Sequence, residues 1–175
     1  MKKILLISGS LREKSINTAL LRAFENQLKD VATMSWGNIH LPLFNEELES
    51  DYPDKAQTLK QQIMDSDIVI ISTPEYNRGT PGVLKNAIDW SSRPYGKNAW
   101  TDKKVLVVSA SPGGIAGALA AYQVKQSLLH LDARLFGQPD LMLGNAYEKF
   151  NESGILIDEP TKQFIQTIVN KLLQE

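Results

Sequence analysis

Hydrophobic positions in this chain fall into short continuous runs, separated by stretches in which apolar residues recur every three or four positions. Four runs read as strands: Lys3 to Ser8, Val31 to Trp36, Asp67 to Thr73, and the "KKVLVVSAS" segment from Lys103. A fifth falls somewhere between Ala133 and Leu143. The intervening stretches read as helices. One runs from Ile16 to Lys29, with Ile16, Ala19, Leu20, Ala23, Phe24 and Leu28 on a single face. Pro53 opens a second, which buries Ala56, Leu59 and Ile63, and a third follows Pro81 and Gly82 with a stripe of Val83, Leu84, Ala87 and Ile88. A fourth, after Gly113 and Gly114, carries Ala121, Val124, Leu128 and Leu131, and the last runs from about Glu159 to Leu173. Between the second strand and second helix, "NIHLPLFNEELESDYPD" reads as a solvated, carboxylate-rich connection.

The strands are apolar without alternation, most clearly Asp67 to Thr73, so both faces of the sheet are covered. Strands alternating with helices then predict a three-layer α/β/α fold around a five-stranded parallel sheet, in one domain spanning 1–175. Right-handed crossovers leave few strand orders. Among them the flavodoxin-like order 2-1-3-4-5 puts a ligand site at the C-terminal edges of the first, third and fourth strands. The chain concentrates Gly, Ser, Pro and Asn at those edges.

After the first strand, "GSLREKSIN" turns into a helix whose unpaired N–H groups and dipole suit an anion. Ser10, Ser15 and Asn17 can add side-chain donors, and Arg12 a forked guanidinium. Ser15 serves equally as a plain helix N-cap. Neither G-x-x-x-x-G-K-[ST] nor G-x-G-x-x-G is present at this turn, which disfavours a P-loop and a Rossmann dinucleotide site and leaves one terminal phosphate, as in a mononucleotide. After the third strand, "STPEYNRGTPG" reads as a fixed, extended loop able to meet a planar heterocycle through its backbone and Tyr76. Glu75 is assigned a structural role there, orienting backbone or pairing with Arg78, rather than a catalytic one. After the fourth strand, "SASPGGIAGA" permits positive backbone angles and close ligand approach at Gly113 and Gly114.

Composition narrows the chemistry. Nineteen Lys plus Arg against twenty Asp plus Glu give no basic field for nucleic acid, and no run is long enough to span a membrane. The absence of cysteine removes thiolate chemistry and Cys-ligated metals, places the chain in the cytoplasm, and leaves redox work to a cofactor. His40 and His130 have no evident partner in the pattern.

The segments "GSLREKSIN", "PEYNRGTPGVLKNAIDW", "SPGG" and "LPLFNEELE" together resemble the NADPH-dependent FMN reductase family, which includes flavodoxin-like quinone, chromate and azo-dye reductases. The resemblance implies that Ser10, Arg12, Ser15, Ile16 and Asn17 hold the FMN phosphate, Ile16 through its backbone N–H. It implies that Pro74, Glu75, Tyr76 and Asn77 line the ring and ribityl chain, and that Ser111, Pro112, Gly113 and Gly114 cover the pyrimidine end. Arg78 stands where the family varies and receives no fixed role. NADPH or NADH would deliver hydride to the flavin, and a small acceptor (quinone, free flavin, chromate, azo or nitro compound) would then take the electrons. No metal and no protein acid or nucleophile is implied. Family members pair through the helices flanking the flavin, which implies a homodimer, with a homotetramer as the larger option, and puts Trp90, Tyr95 and Trp100 near a neighbouring subunit. Competing expectations are a flavodoxin-type electron carrier without NAD(P)H turnover and a non-catalytic module with a vestigial site.

Overall fold

A computed structural model describes residues 1–174. The strands are β1 (Lys2–Ser8), β2 (Ala32–Trp36), β3 (Ile68–Thr73), β4 (Lys104–Ala110), β5 (Arg134–Leu135) and β6 (Met142–Leu143). The α-helices are α1 (Ile16–Leu28), α2 (Asp54–Asp65), α3 (Gly82–Ser91), α4 (Ala118–His130) and α5 (Glu159–Gln174). The sheet is parallel with order β2-β1-β3-β4-β5, and β6 also pairs with β4. This is the flavodoxin-like order.

Side-chain alternation along each strand divides the core into two layers. Ile4 and Leu6 of β1, Ile68 and Ile70 of β3, and Leu106 and Val108 of β4 face α1 and α5. Their neighbours Leu5, Ile7, Val69, Ile71, Val105 and Val107 face α2, α3 and α4. Every side chain of β3 is buried, as expected for a strand covered on both faces.

The fifth strand departs from a single run. β5 pairs with the start of β4 (Lys104 with Arg134, Val105 with Leu135), whereas β6 pairs with its end (Ser109 with Met142, Ala110 with Leu143). Residues 137–140 leave the ladder, while the Phe136 N–H still donates to Val105 O at 3.0 Å and Leu141 O accepts from the Ser109 N–H at 3.1 Å.

The carboxylate-rich connection is not a free surface loop. Asn86 and Trp90 of α3 both donate to the Pro42 carbonyl, at 2.9 and 2.8 Å, and the Phe44 N–H donates to Asn86 Oδ1 at 2.7 Å. Asn45 then caps a short 3₁₀ turn, Glu46–Asp51, whose Glu46 and Glu49 pair with Arg93. These bonds use backbone carbonyls and amides, which a pattern of apolar positions does not reveal.

Both tryptophans are core residues of this chain. Trp90 is 0% and Trp100 1% exposed. Trp100 Nε1 donates to Ser91 Oγ at 2.8 Å. The expectation that they lie beside a neighbouring subunit is corrected: packing between α3 and its own loops takes them up. Tyr95, 92% exposed, remains outside.

Candidate active site

Because all the strands are parallel, Ser8, Thr73 and Ala110 end β1, β3 and β4 at one edge of the sheet, and three loops leave from it. The first is anchored where the Gly9 N–H donates to Ser72 O at 2.8 Å. A Cβ on Gly9 would lie 3.0 Å from Leu84 and 3.2 Å from Pro74, so glycine is needed for the loops to approach. The Arg12 N–H turns back on Ser10 Oγ at 3.1 Å. Ser15 is the N-cap of α1, and its Oγ accepts from the N–H groups of Asn17 and Thr18 at 3.2 and 3.5 Å. Among the described residues the Ile16 N–H has no acceptor, so it remains available at the positive end of α1.

Asn17 does something the sequence did not foresee. It is 1% exposed; its Nδ2 donates to Ala110 O and its Oδ1 accepts from Ala110 N, each at 3.0 Å, while Ser72 Oγ donates to the same Oδ1 at 2.8 Å. The side chain therefore ties α1 to the ends of β3 and β4, a brace that commits its Oδ1 and one of its two Nδ2 hydrogens.

The second loop is a tight hairpin, not an extended segment. Tyr76 and Gly79 exchange backbone hydrogen bonds at 3.1 and 3.0 Å around Asn77 and Arg78, whose φ values are 51° and 62°. Two successive left-handed residues are the mark of a type I′ turn, and Arg at the second place is strained where glycine is usual. Glu75 Oε2 accepts the N–H groups of Leu119 and Ala120 at 3.0 and 3.3 Å, and Arg78 pairs with Oε1 at 3.3 Å. Since Gly117 supplies no side-chain cap, Glu75 caps α4 from another loop, which is the structural role assigned to it. Gln123 of α4 completes the junction, accepting from Thr80 N at 3.0 Å and donating to Arg78 O at 3.3 Å.

In the third loop the left-handed residues are Ala116 (φ 62°) and Gly117 (φ 77°), not Gly113 and Gly114. Gly114 faces open space and Gly113 has only Ser111 Oγ near its missing Cβ, at 3.9 Å. Their peptides stand exposed at the rim. Close approach is instead required at Gly144, where a Cβ would meet the carbonyls of Gly113 and Gly114 at 3.3 and 3.4 Å.

The loops converge. Ser10, Arg12, Ser15, Ile16, Asn17, Pro74, Glu75, Tyr76, Ser111 and Pro112 line one cavity of about 140 Å³, together with Ala110 and Tyr147. Asn77, Gly113 and Gly114 lie outside that lining. Tyr147 went unnoticed in the sequence; it follows the fifth strand and so belongs to the same sheet edge, which is the signal that could have found it. Its hydroxyl accepts from Arg12 Nη1 at 3.4 Å. That hydrogen bond raises the pKa of the exposed Arg12 guanidinium still further. His40 and His130 are exposed and outside the cavity.

Residues 2–148 match the family described as NADPH-dependent FMN reductase. The chain is 41% identical to a quinone reductase of Pseudomonas putida, over 96% of this chain and 91% of that one. It is 36% identical to a 2-hydroxy-1,4-benzoquinone reductase of a Burkholderia species, over 97% and 93%. Among solved structures, the flavoenzyme NAD(P)H:(acceptor) oxidoreductase FerB from Paracoccus denitrificans superposes with a TM-score of 0.92 at 36% identity, covering 99% of this chain and 96% of the other. The chain belongs to the NADPH-dependent FMN reductase family. It is an NAD(P)H-dependent oxidoreductase that works with FMN.

Proposed function

We propose that the 140 Å³ cavity is the FMN site and that the bound flavin passes electrons from NAD(P)H to a quinone, with other small acceptors able to substitute. The observation that carries this reading is the convergence of the loops after β1, β3 and β4 on one cavity whose wall includes the open N-terminus of α1. The donor set fits FMN: the free Ile16 N–H, the Ser10 and Ser15 hydroxyls and the Arg12 guanidinium suit a dianionic phosphate. When bound, FMN supplies the hydride-accepting and electron-donating chemistry. The protein binds and orients. Pro74 to Asn77 border the ring, with the 53% exposed Tyr76 offering an aromatic surface, and the rim peptides of Ser111 to Gly114 meet the polar end. Glu75, committed to α4, holds two walls together instead of moving a proton.

Purified protein mixed with FMN should turn yellow, bleach with NAD(P)H under anaerobic conditions, and recover its colour with a quinone. A protein that fails to bind FMN sinks this assignment; one that binds FMN but is reduced by neither nucleotide is a carrier. The named relatives are reductases and lend no support to the carrier.

The chain is further read as one flavodoxin-like domain that acts in the cytoplasm as a homodimer. Support for pairing lies in α4, which is apolar on two sides. Ala121, Val124 and Leu128 point into the core. Ile115, just ahead of the helix, and Leu119, Tyr122 and Leu129 on it are 51%, 45%, 55% and 66% exposed. Their spacing of three, four and seven keeps them in one stripe, the pattern of a helix that meets another. Light scattering of wild type and Tyr122→Asp distinguishes dimer, tetramer and monomer. For location, the absence of cysteine is the support, and no described helix is long and apolar enough to cross a membrane.

A further inference from the structure

The chain contains five arginines, and three of them hold carboxylates: Arg78 with Glu75, Arg93 with Glu46 and Glu49, and Arg134 with Asp102. The other two, Arg12 and Arg22, pair with no carboxylate among the described residues, and both line one cleft of about 580 Å³ on the outer side of α1. Lys14, also without an ion pair among the described residues, lines it too. Glu13 and Glu152 share the cleft but neutralise none of these cations. Cations left unpaired in a concave site raise the local potential and favour an anionic ligand.

The cations of the cleft are spread along α1. Arg22 stands six residues beyond Ile16, which at 1.5 Å per residue is about 9 Å along α1 from the helix end that faces the flavin phosphate. A second anionic group lying along the helix would meet it. The cleft begins at Arg12, Ser15, Ile16 and Tyr147, which also wall the flavin cavity, so a ligand seated on the flavin can reach it without leaving the protein surface. Its volume exceeds what a lone phosphate needs. A second cavity of about 370 Å³ adjoins it through Ala19, Arg22, Ser153 and Gly154; Asn26 lines it with its amide, and so does Gln27, whose Nε2 donates to Lys162 O at 2.8 Å while its Oε1 has no partner among the described residues, a pair of groups suited to the edge of a base.

We propose that this cleft receives the 2′-phosphorylated adenosine end of NADPH, with Arg22 and Lys14 holding the 2′-phosphate, and that it makes the enzyme prefer NADPH to NADH. The proposal rests on the flavin site argued above and adds to it a site for the phosphate that distinguishes the two nucleotides.

The test is calorimetric titration of FMN-loaded protein with adenosine 2′,5′-bisphosphate and with 5′-AMP. The bisphosphate should bind about tenfold or more tightly, because one charge-assisted fork contact separates the two ligands. Arg22→Ala should remove most of that difference, Lys14 keeping the rest, and raise KM for NADPH while leaving KM for NADH unchanged, and Arg22→Lys should restore part of it. FMN titration of Arg22→Ala should match wild type. Equal binding of the two ligands by wild type, or an undiminished difference in Arg22→Ala, overturns the proposal. Tighter binding of FAD than of FMN that disappears in Arg22→Ala also overturns it, by giving the cleft to the flavin's own adenylate. Failure of wild type to bind FMN is read in the separate flavin titration and refutes the flavin site; the two adenosine ligands, titrated into the same protein, still report on the cleft.

Discussion

The side-chain amide of Asn17 pairs with both backbone groups of Ala110, at 3.0 Å each, closing the end of β4 as a neighbouring strand would. Asn17→Ala leaves the Ala110 N–H and carbonyl buried without these partners. The expected loss is about 2 to 4 kcal/mol of stability, measured by urea unfolding. Because the side chain faces protein, the ratio of FMN to riboflavin affinity in the folded variant should equal that of wild type. A selective loss of FMN affinity would return Asn17 to the phosphate.

Arg12 is expected to behave in the opposite way. Arg12→Ala should leave the unfolding midpoint almost unchanged, since the side chain is exposed and among the described residues bonds only to Tyr147, yet weaken FMN by about tenfold or more relative to riboflavin. Tyr147→Phe should move FMN affinity in the same direction by less. Equal losses for the two flavins would show that Arg12 acts through the fold.

At Arg78 the chain holds a non-glycine residue at φ 62° in the second place of a type I′ turn. Arg78→Gly should therefore stabilise the protein by about 1 kcal/mol, because the Asn-Gly pair is the preferred one, the Arg78 side chain is 63% exposed, and Glu75 keeps its bonds to the N–H groups of α4 when the ion pair is lost. Thermal unfolding reads this directly; a lower Tm would mean that the pair with Glu75 outweighs the strain.

Glu75→Ala removes the side-chain acceptor that meets the Leu119 and Ala120 N–H groups of α4, and should cost about 1 to 2 kcal/mol. Hydrogen exchange at Leu119 and Ala120 should rise more than at α1. If exchange rises uniformly, Glu75 is not a local cap.

Burial, with the nearby Glu49 charge adding to it, pushes the Tyr52 hydroxyl up to about 12. The folded chain then keeps this proton at pH values where the unfolded chain, with a pKa near 10, has lost it. Stability contributed by Tyr52 is present below pH 10 and is lost as pH rises toward 12. Urea midpoints at pH 9 and pH 11 should show the advantage of wild type over Tyr52→Phe shrinking at the higher pH. A constant difference would refute the shift.

The sheet was legible because β1, β3 and β4 run apolar through their middle residues, a demand set by burial on two faces, and turn to Ser and Thr only at the ends that carry the site loops. The fifth strand could be placed only within a range, since two pieces of two residues carry almost no periodicity. The site loops announced themselves through Gly, Pro and Ser, but their inner logic did not. The hairpin at Asn77 and Arg78 lacks the Asn-Gly signature, and the uses of Asn17 and Glu75 depend on partners 93 and 44 residues away. The docking of residues 38–54 likewise rests on Asn86 and Trp90, which read simply as helix residues.

The break in the edge strand has a bearing on how such a protein can change. Met142 and Leu143 are held to the end of β4, and Ala146 is tied to Ser111 O at 3.1 Å, independently of what the chain does between the buried Phe136 and Leu141. Residues 137–139 can lengthen, shorten or acquire new surface chemistry while Tyr147 stays beside Arg12. The wall of the site is thus suspended from the sheet rather than pushed up by the strand before it, and sequence drift at the edge is insulated from chemistry at the top.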